Sequence, residues 1–213
     1  MKEKISKSAF IVFEGGEGSG KTTVINFIAK ELKKTGYDVL TTHEPGGTRI
    51  GEKIREILVN KKNVDIVPRA ELLLFLASRA QHMEEIIKPA LAAQKVVICD
   101  RFSGSSFAYQ YFGRQIARFE EIYRLDSFAR DNLRPGRTIL LDINPEIGLS
   151  ERGKNSTRFE KEKLEFHQRV RAGYLELAKR NPETWRVIDA SKPLKEVEAE
   201  ALKIIKEFLE TEE

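Results

Sequence analysis

The sequence predicts an α/β chain in which five parallel strands form one sheet flanked by helices on both faces. Three observations lead there. Short apolar runs of strand length alternate with longer segments whose apolar residues recur at helical spacing. The run at residues 96–99 is apolar without alternation and the strand at 137–142 has a continuous apolar centre at 139–141, as strands buried on both faces do. Carboxylates close the strands, with Glu14, Glu44, Asp100 and Asp142 at or just past their carboxyl ends, where ligands of such sheets bind.

Taken in order, residues 9–13 are apolar and rich in β-formers, giving the first strand. Apolar side chains at 24, 25, 28, 29 and 32 then mark one face of a helix, which Gly36 is suited to cap. Residues 38–42 form the second strand. The stretch Glu44-Pro45-Gly46-Gly47-Thr48 is a turn, followed by a short amphipathic helix with Ile50, Ile54, Ile57 and Leu58 on one side. Pro68 opens a long helix to about residue 93, and Pro89 is expected to kink it or end it sooner. Residues 96–99 are the third strand, and 105–112 and 117–132 read as helices. The fourth strand, 137–142, leads to a brief helix opened by Pro145. Residues 152–158 have no apolar periodicity. A helix over 164–180, a strand over 186–189 and a helix over 194–209 complete the order. Neither repeats nor low-complexity segments divide the chain, so residues 1–213 are expected to form a single domain.

Composition narrows the function. The net charge is +4, with basic residues dispersed among acidic ones, which suits a small anionic ligand and gives no reason to expect nucleic acid. One cysteine, Cys99, allows no disulfide within the chain, and three scattered histidines show no metal-ligand spacing. No apolar run approaches membrane-spanning length. Residues 1–8 are charged and run straight into the first strand, so no cleavable leader is expected and the protein is expected in the cytoplasm, away from membranes.

The most informative stretch is Gly15-Gly16-Glu17-Gly18-Ser19-Gly20-Lys21-Thr22. It fits G-x-x-x-x-G-K-[ST], lying between a predicted strand and a predicted helix as that phosphate-binding motif requires. Its glycines let backbone N–H groups turn inward around a polyphosphate, and the helix start favours negative charge. Lys21 is expected to reach the outer phosphates and the Thr22 hydroxyl to help hold Mg²⁺. The motif therefore implies a nucleoside triphosphate ligand.

The rest of the chain must choose among the families that share this loop. A guanine-reading Asn-Lys-x-Asp is absent, since Asn60-Lys61-Lys62-Asn63 fails at its last position, and no Leu-Ser-Gly-Gly-Gln signature of transport ATPases occurs. What is present, in order, is Glu44-Pro45-Gly46-Gly47-Thr48, Leu74-Phe75-Leu76-Ala77-Ser78-Arg79, Asp100-Arg101-Phe102 and Ser105-Ser106-Phe107-Ala108-Tyr109-Gln110. Arg158-Phe159-Glu160 and Arg171-Ala172-Gly173-Tyr174-Leu175 follow. This series resembles the bacterial thymidylate kinases from residue 10 to about 191. The resemblance implies the P-loop nucleoside monophosphate kinase fold and transfer of the ATP γ-phosphoryl group to dTMP. Another monophosphate kinase of the same fold is the alternative within the class, and a non-catalytic nucleotide-dependent switch the alternative outside it.

The resemblance also assigns roles. ATP phosphates are expected on residues 15–22, and dTMP on Glu17, Arg55, Phe75, Arg79, Arg101, Ser105, Ser106, Tyr109 and Gln110. Phe75 and Arg79 stand four apart on a predicted helix and so share a face; the family uses this pair to stack on thymine and to reach its O4. Ser106 and Gln110, also four apart, are expected at the ring, where an amide or hydroxyl accepts the N3 proton. Tyr109 is expected under the deoxyribose, crowding a 2′-hydroxyl. Arg101 and, less directly, Arg55 are expected on the dTMP phosphate, and Asp100 with Thr22 at the metal. Glu17 is expected to meet the 3′-hydroxyl, or the metal through water.

The catalytic set implied is Lys21, Arg101, Glu17 and a lid arginine. Some family members carry a basic residue at the loop position held here by Gly18, so this chain resembles the type that takes its catalytic cation from a mobile lid at about 150–160. Arg152 and Arg158 both qualify, and Arg158, anchored by Phe159-Glu160, is the first choice. The expected co-substrate and cofactor are ATP and Mg²⁺, and a homodimer is expected from the family, with the apolar faces of 71–88 and 120–133 as candidates for its interface.

Overall fold

The structure, a computed structural model, describes residues 9–150 and 157–210. Five parallel strands form the sheet in the order β2-β3-β1-β4-β5, with β1 Phe10–Glu14, β2 Val39–His43, β3 Val96–Asp100, β4 Arg137–Asp142 and β5 Trp185–Asp189. β1 is central and lies in register with β3, Val12 against Cys99, and with β4, Phe13 against Ile139. The period-two alternation of a strand sends its side chains to two cores. Ile11 and Phe13 pack with Ile98, Ile139 and Leu141 under α1 (Lys21–Lys34) and α8 (Leu194–Glu210). Phe10 and Val12 pack with Val97 and Cys99 on the opposite face, against Met83, Ile87 and Ala90. Both faces are therefore covered, as the continuous apolar runs predicted.

Helix α1 begins at Lys21, three residues before the first apolar position of its buried face, Val24. Its far end closes as a Schellman turn: Tyr37 N–H bonds Leu32 O and Gly36 N–H bonds Lys33 O. Gly36 adopts φ +96° there, a conformation that side chains disfavour. After β2, α2 (Arg49–Val59) is capped by Thr48, whose hydroxyl accepts from Gly51 N–H at 2.8 Å.

The long helix departs from the sequence expectation. It runs as α3 (Pro68–His82), opens into one π turn (Met83–Ile87), and continues from Lys88 to Ala92. Lys88 N–H bonds back to Met83 O, five residues earlier, and Pro89 enters at the start of the last segment without ending the rod. A second π turn (Phe107–Gly113) follows the short helix α4 (Ser103–Ser106), replacing the single regular helix expected over 105–112. Next come α5 (Phe119–Ala129), shorter than the 117–132 expected, α6 (Pro145–Ser150), a 3₁₀ turn (Phe159–Lys161) and α7 (Leu164–Arg180). Among the described residues no helix is long and apolar enough to cross a membrane.

Candidate active site

The carboxyl ends of β1, β3 and β2 open onto a cleft of about 740 Å³. Its walls bring together Glu17, Gly18, Ser19, Gly20, Lys21 and Thr22 from the loop, Arg55 from α2, Phe75 from α3, and Asp100, Arg101, Ser105, Tyr109 and Gln110 from the segment after β3. Residues spread over nearly a hundred positions meet there because three consecutive strands end on the same side of the sheet.

At the loop, Gly20 caps α1 and offers no side-chain oxygen, so the first-turn N–H groups of the helix remain for an anion. Gly18 has φ +71°, and a Cβ there would sit 1.8 Å from the Gly148 carbonyl oxygen of α6. A side chain at that position would meet the Gly148 backbone, so the loop has no room for a basic residue there. The Lys21 ammonium is folded into the loop, donating to Gly15 O at 3.1 Å, Gly16 O at 2.9 Å and Ser19 Oγ at 3.1 Å. Burial, then the neighbouring Arg101 charge, pushes its pKa down to about 8.

Arg101 follows β3 in the left-handed region, φ +72°, unusual for a side chain of its size. The turn swings its guanidinium across the cleft floor, where Nη1 donates to Gly15 O at 3.0 Å and Tyr174 Oη at 3.0 Å, and Nη2 to Glu17 at 2.9 Å. Tyr109 Oη donates to the same Glu17 oxygen at 2.8 Å, and its ring lies 5.1 Å from the Arg101 guanidinium. Beneath this group Glu14 is fully buried and accepts from Phe102 N–H, Ser105 N–H, Ser105 Oγ and Tyr174 Oη. Burial raises its pKa. It holds the turn that aims Arg101 and Ser105. Sequence reasoning gave Glu14 and Tyr174 no role, although a carboxylate ending an apolar strand was a visible signal for Glu14.

The metal expectation meets a fitting donor set. Thr22 Oγ1 donates to Asp100 Oδ2 at 3.3 Å, and Asp100 Oδ1 is buried with no hydrogen-bond partner among the described residues. An orphaned carboxylate oxygen beside a hydroxyl suits a hard cation that keeps most of its ligands as phosphate and water. Among the described residues no group of three or more His, Cys, Asp or Glu side chains could hold a metal by itself. The other strand-end carboxylate, Asp142, is closed by a bidentate pair with Arg171, both contacts at 2.8 Å.

At the far end of the cleft, Phe75 faces Phe159 at 5.9 Å between ring centroids. Arg55 also lines it, with Nη1 on Pro45 O at 2.8 Å. Arg79 and Ser106 do not line the cleft. Arg79 is buried behind its wall, donating to Glu44 at 2.8 Å, Ser106 Oγ at 2.9 Å and Asp126 at 2.6 Å. His82 braces the same Glu44 at 3.1 Å. A guanidinium between two carboxylates is the usual answer to burying a charge. The shared face of Phe75 and Arg79 is thus split, with the ring at the surface of the cleft and the cation one layer deeper.

Arg158 departs most from expectation. Its guanidinium is buried, donating to Glu71 at 2.7 Å and to Leu58 O at 3.2 Å, and stacks 4.7 Å from the Phe159 ring. It does not line the cleft, whereas its neighbours Thr157 and Phe159 do. Sequence reasoning could not see the carboxylate that takes it, 87 residues away. Arg152 lies outside the described residues.

A family model described as "Thymidylate kinase" matches residues 13–201. The thymidylate kinase of Pelotomaculum thermopropionicum is 47% identical over 208 residues, 96% of this chain and 95% of that protein. That of Geobacillus sp. (strain WCH70) is 45% identical over 208 residues, covering 96% and 99%. A crystal structure of thymidylate kinase from Ehrlichia chaffeensis superposes with a TM-score of 0.76 at 35% identity, covering 92% of this chain and 97% of that one.

Proposed function

The chain belongs to the thymidylate kinase family, and from that premise we propose that the cleft joins ATP to dTMP and passes the γ-phosphoryl group between them, giving ADP and dTDP. One observation carries the assignment of residues. The phosphate loop and a wall of Phe75, Tyr109 and Gln110 belong to a single cleft, with Arg101 between them.

The attacking atom is an oxygen of the dTMP phosphate, already anionic at neutral pH, so no general base is needed. As its bond to the γ-phosphorus forms, the bond from that phosphorus to the ADP oxygen breaks. The protein's task is to hold two polyanions in line and offset the charge that accumulates between them. The loop N–H groups and Lys21 bind the triphosphate. Lys21 is already among the loop carbonyls, and an arriving phosphate offers its ammonium a better partner than they do. Arg101 binds the dTMP phosphate, and Arg55, which lines the same cleft, is the second cation for it. Thr22 and Asp100 would hold Mg²⁺, which would offset negative charge on the triphosphate.

Phe75 stacks on the thymine, Gln110 accepts its N3–H, and Tyr109, pinned by Glu17, fills the space of a 2′-hydroxyl. Glu17 is in reach of the 3′-hydroxyl side of the sugar, and Ser105 of the phosphate. Arg79 and Ser106 shape the base pocket from behind its wall. With Arg158 committed to Glu71, Arg152 is the arginine the sequence offers as lid cation.

The reaction belongs in the cytoplasm, where both substrates occur. A homodimer is supported by apolar side chains left outside the core on neighbouring helices, Leu73 on α3 and Leu125 and Phe128 on α5, the last 87% exposed. Light scattering on the purified protein checks that state.

The test of the activity is ADP release with ATP and Mg²⁺ against dTMP, dUMP, dCMP, dGMP, AMP and UMP. Strong stimulation by dTMP, weaker by dUMP and little by the others is the expected pattern. Stimulation by a different monophosphate alone would overturn the assignments of Phe75, Tyr109 and Gln110.

A further inference from the structure

Behind the base-facing wall lies a carboxylate for which phosphoryl transfer has no use. Glu71 on α3 is fully buried and accepts from four N–H groups. Gln110 Nε2 reaches Oε1 at 3.0 Å and Arg114 Nε reaches the same oxygen at 3.2 Å. Arg114 Nη2 reaches Oε2 at 3.2 Å and Arg158 Nη2 at 2.7 Å. Two guanidinium groups keep this carboxylate supplied with donors from both sides.

A carboxamide alone is ambivalent, since rotating it by half a turn exchanges donor for acceptor. A carboxylate that faces it removes the ambiguity, because it only accepts. Glu71 therefore takes the nitrogen end of Gln110, and the oxygen end is the one left for the cleft that Gln110 lines. Turning the amide over would set its oxygen against a carboxylate oxygen in a buried site, which leaves two acceptors facing each other.

We propose that Glu71 is a positioning residue for substrate choice, locking the Gln110 carbonyl oxygen toward the base so that the cleft takes a pyrimidine with a proton on N3. Thymine and uracil carry that proton. Cytosine presents an N3 lone pair, which meets the Gln110 oxygen as a second acceptor. The inference rests on the thymidylate reading of the cleft and adds to it the group that makes an uncharged amide selective.

Glu71→Gln tests it, because an amide of the same shape can pair with Gln110 in either orientation. The measurement is kcat/KM with dTMP and with dCMP, alongside the KM for ATP. The expected result is a fall in the dTMP:dCMP ratio of about tenfold or more, carried by a higher KM for dTMP at unchanged KM for ATP. Gln110→Leu should lower the ratio at least as far, and Glu71→Gln should lower it no further in the Gln110→Leu background. Arg114→Met, which removes one cation from the same carboxylate, should lower the melting temperature and leave the ratio intact. Should Glu71→Gln alone fail to fold, Glu71→Gln with Arg114→Met removes the surplus buried charge and serves in its place. A ratio unchanged by Glu71→Gln but lost in Gln110→Leu would show that Glu71 only supports the fold. A ratio that survives Gln110→Leu would overturn the base-reading role of Gln110, and the positioning role with it.

Discussion

Arg101 and Glu17 face each other across the floor of the cleft, Nη2 to Oε1 at 2.9 Å, and Tyr109 donates to that same oxygen at 2.8 Å. One carboxylate of the phosphate loop thus aligns both the arginine proposed for the dTMP phosphate and the aromatic ring proposed for its sugar. The pair is mostly shielded from solvent, with the Glu17 side chain 10% exposed. Replacing Glu17 with Gln keeps the shape and removes the charge. A hydrogen bond to a charged group contributes about 1.5–3 kcal/mol, so the KM for dTMP should rise roughly 10- to 100-fold while that for ATP changes little. Steady-state kinetics with each substrate varied in turn decides this, and an unmoved dTMP constant would remove Glu17 from the site.

Lys21 carries a pH signature. Its pKa is about 8 in the folded chain, lowered from 10.5, so between those values the unfolded state binds more protons than the folded one. Stability of the ligand-free protein from this group therefore rises with pH across that window, and below pH 8 burial of the charge counts against the fold. A bound polyphosphate favours the ammonium, so ATP binding near pH 8.5 should take up a fraction of a proton. Calorimetry in buffers of different ionisation enthalpy measures that uptake, and Lys21→Met should abolish it. Turnover by Lys21→Ala should fall by two to three orders of magnitude, comparable to losing a main charge-stabilising donor, with the far-ultraviolet spectrum unchanged.

Asp100 predicts a metal dependence. Chelation should stop phosphoryl transfer, and Asp100→Ala should raise the Mg²⁺ concentration for half-maximal rate about tenfold, as loss of an outer metal partner does. A Mg²⁺ titration of the variant at saturating ATP and dTMP gives the answer. An unshifted midpoint would mean that the buried, unpartnered Asp100 oxygen serves some other end.

Arg158 separates structure from catalysis. It and Glu71 are 7% and 1% exposed at their side chains, and breaking a buried pair costs about 3–5 kcal/mol. Because Arg114 still pairs with Glu71, the lower figure applies to Arg158→Ala. At about 3 °C per kcal/mol for a chain of this size, the melting temperature should drop on the order of 10 °C. Calorimetry of the variant should show that loss, and kcat measured well below the new melting point should fall far less than in Lys21→Ala. A collapse of kcat without a thermal shift would return Arg158 to the catalytic set.

The sequence specified the order of strands and helices, because periodicity is local. Apolar residues two or about 3.6 apart make one buried face whatever packs on it. It also specified the phosphate loop, whose glycines and lysine are consecutive. The two π turns escaped it, since a single wider turn hardly alters an apolar pattern and is settled by what packs around Met83 and Tyr109.

Within the cleft, Phe75, Arg101, Ser105, Tyr109 and Gln110 could be named from the sequence, yet the partners of the long charged side chains could not. Arg79 and Arg158 end a flexible stem in a guanidinium, and a desolvated cation settles wherever carboxylates can surround it. For Arg79 those are Glu44 and Asp126, and for Arg158 it is Glu71, none within thirty residues along the chain. Segment-by-segment patterns determine which elements form and in what order. Only the closed tertiary structure brings distant charges into one dry space, and there electrostatics decides which arginine faces the ligand and which holds the wall behind it.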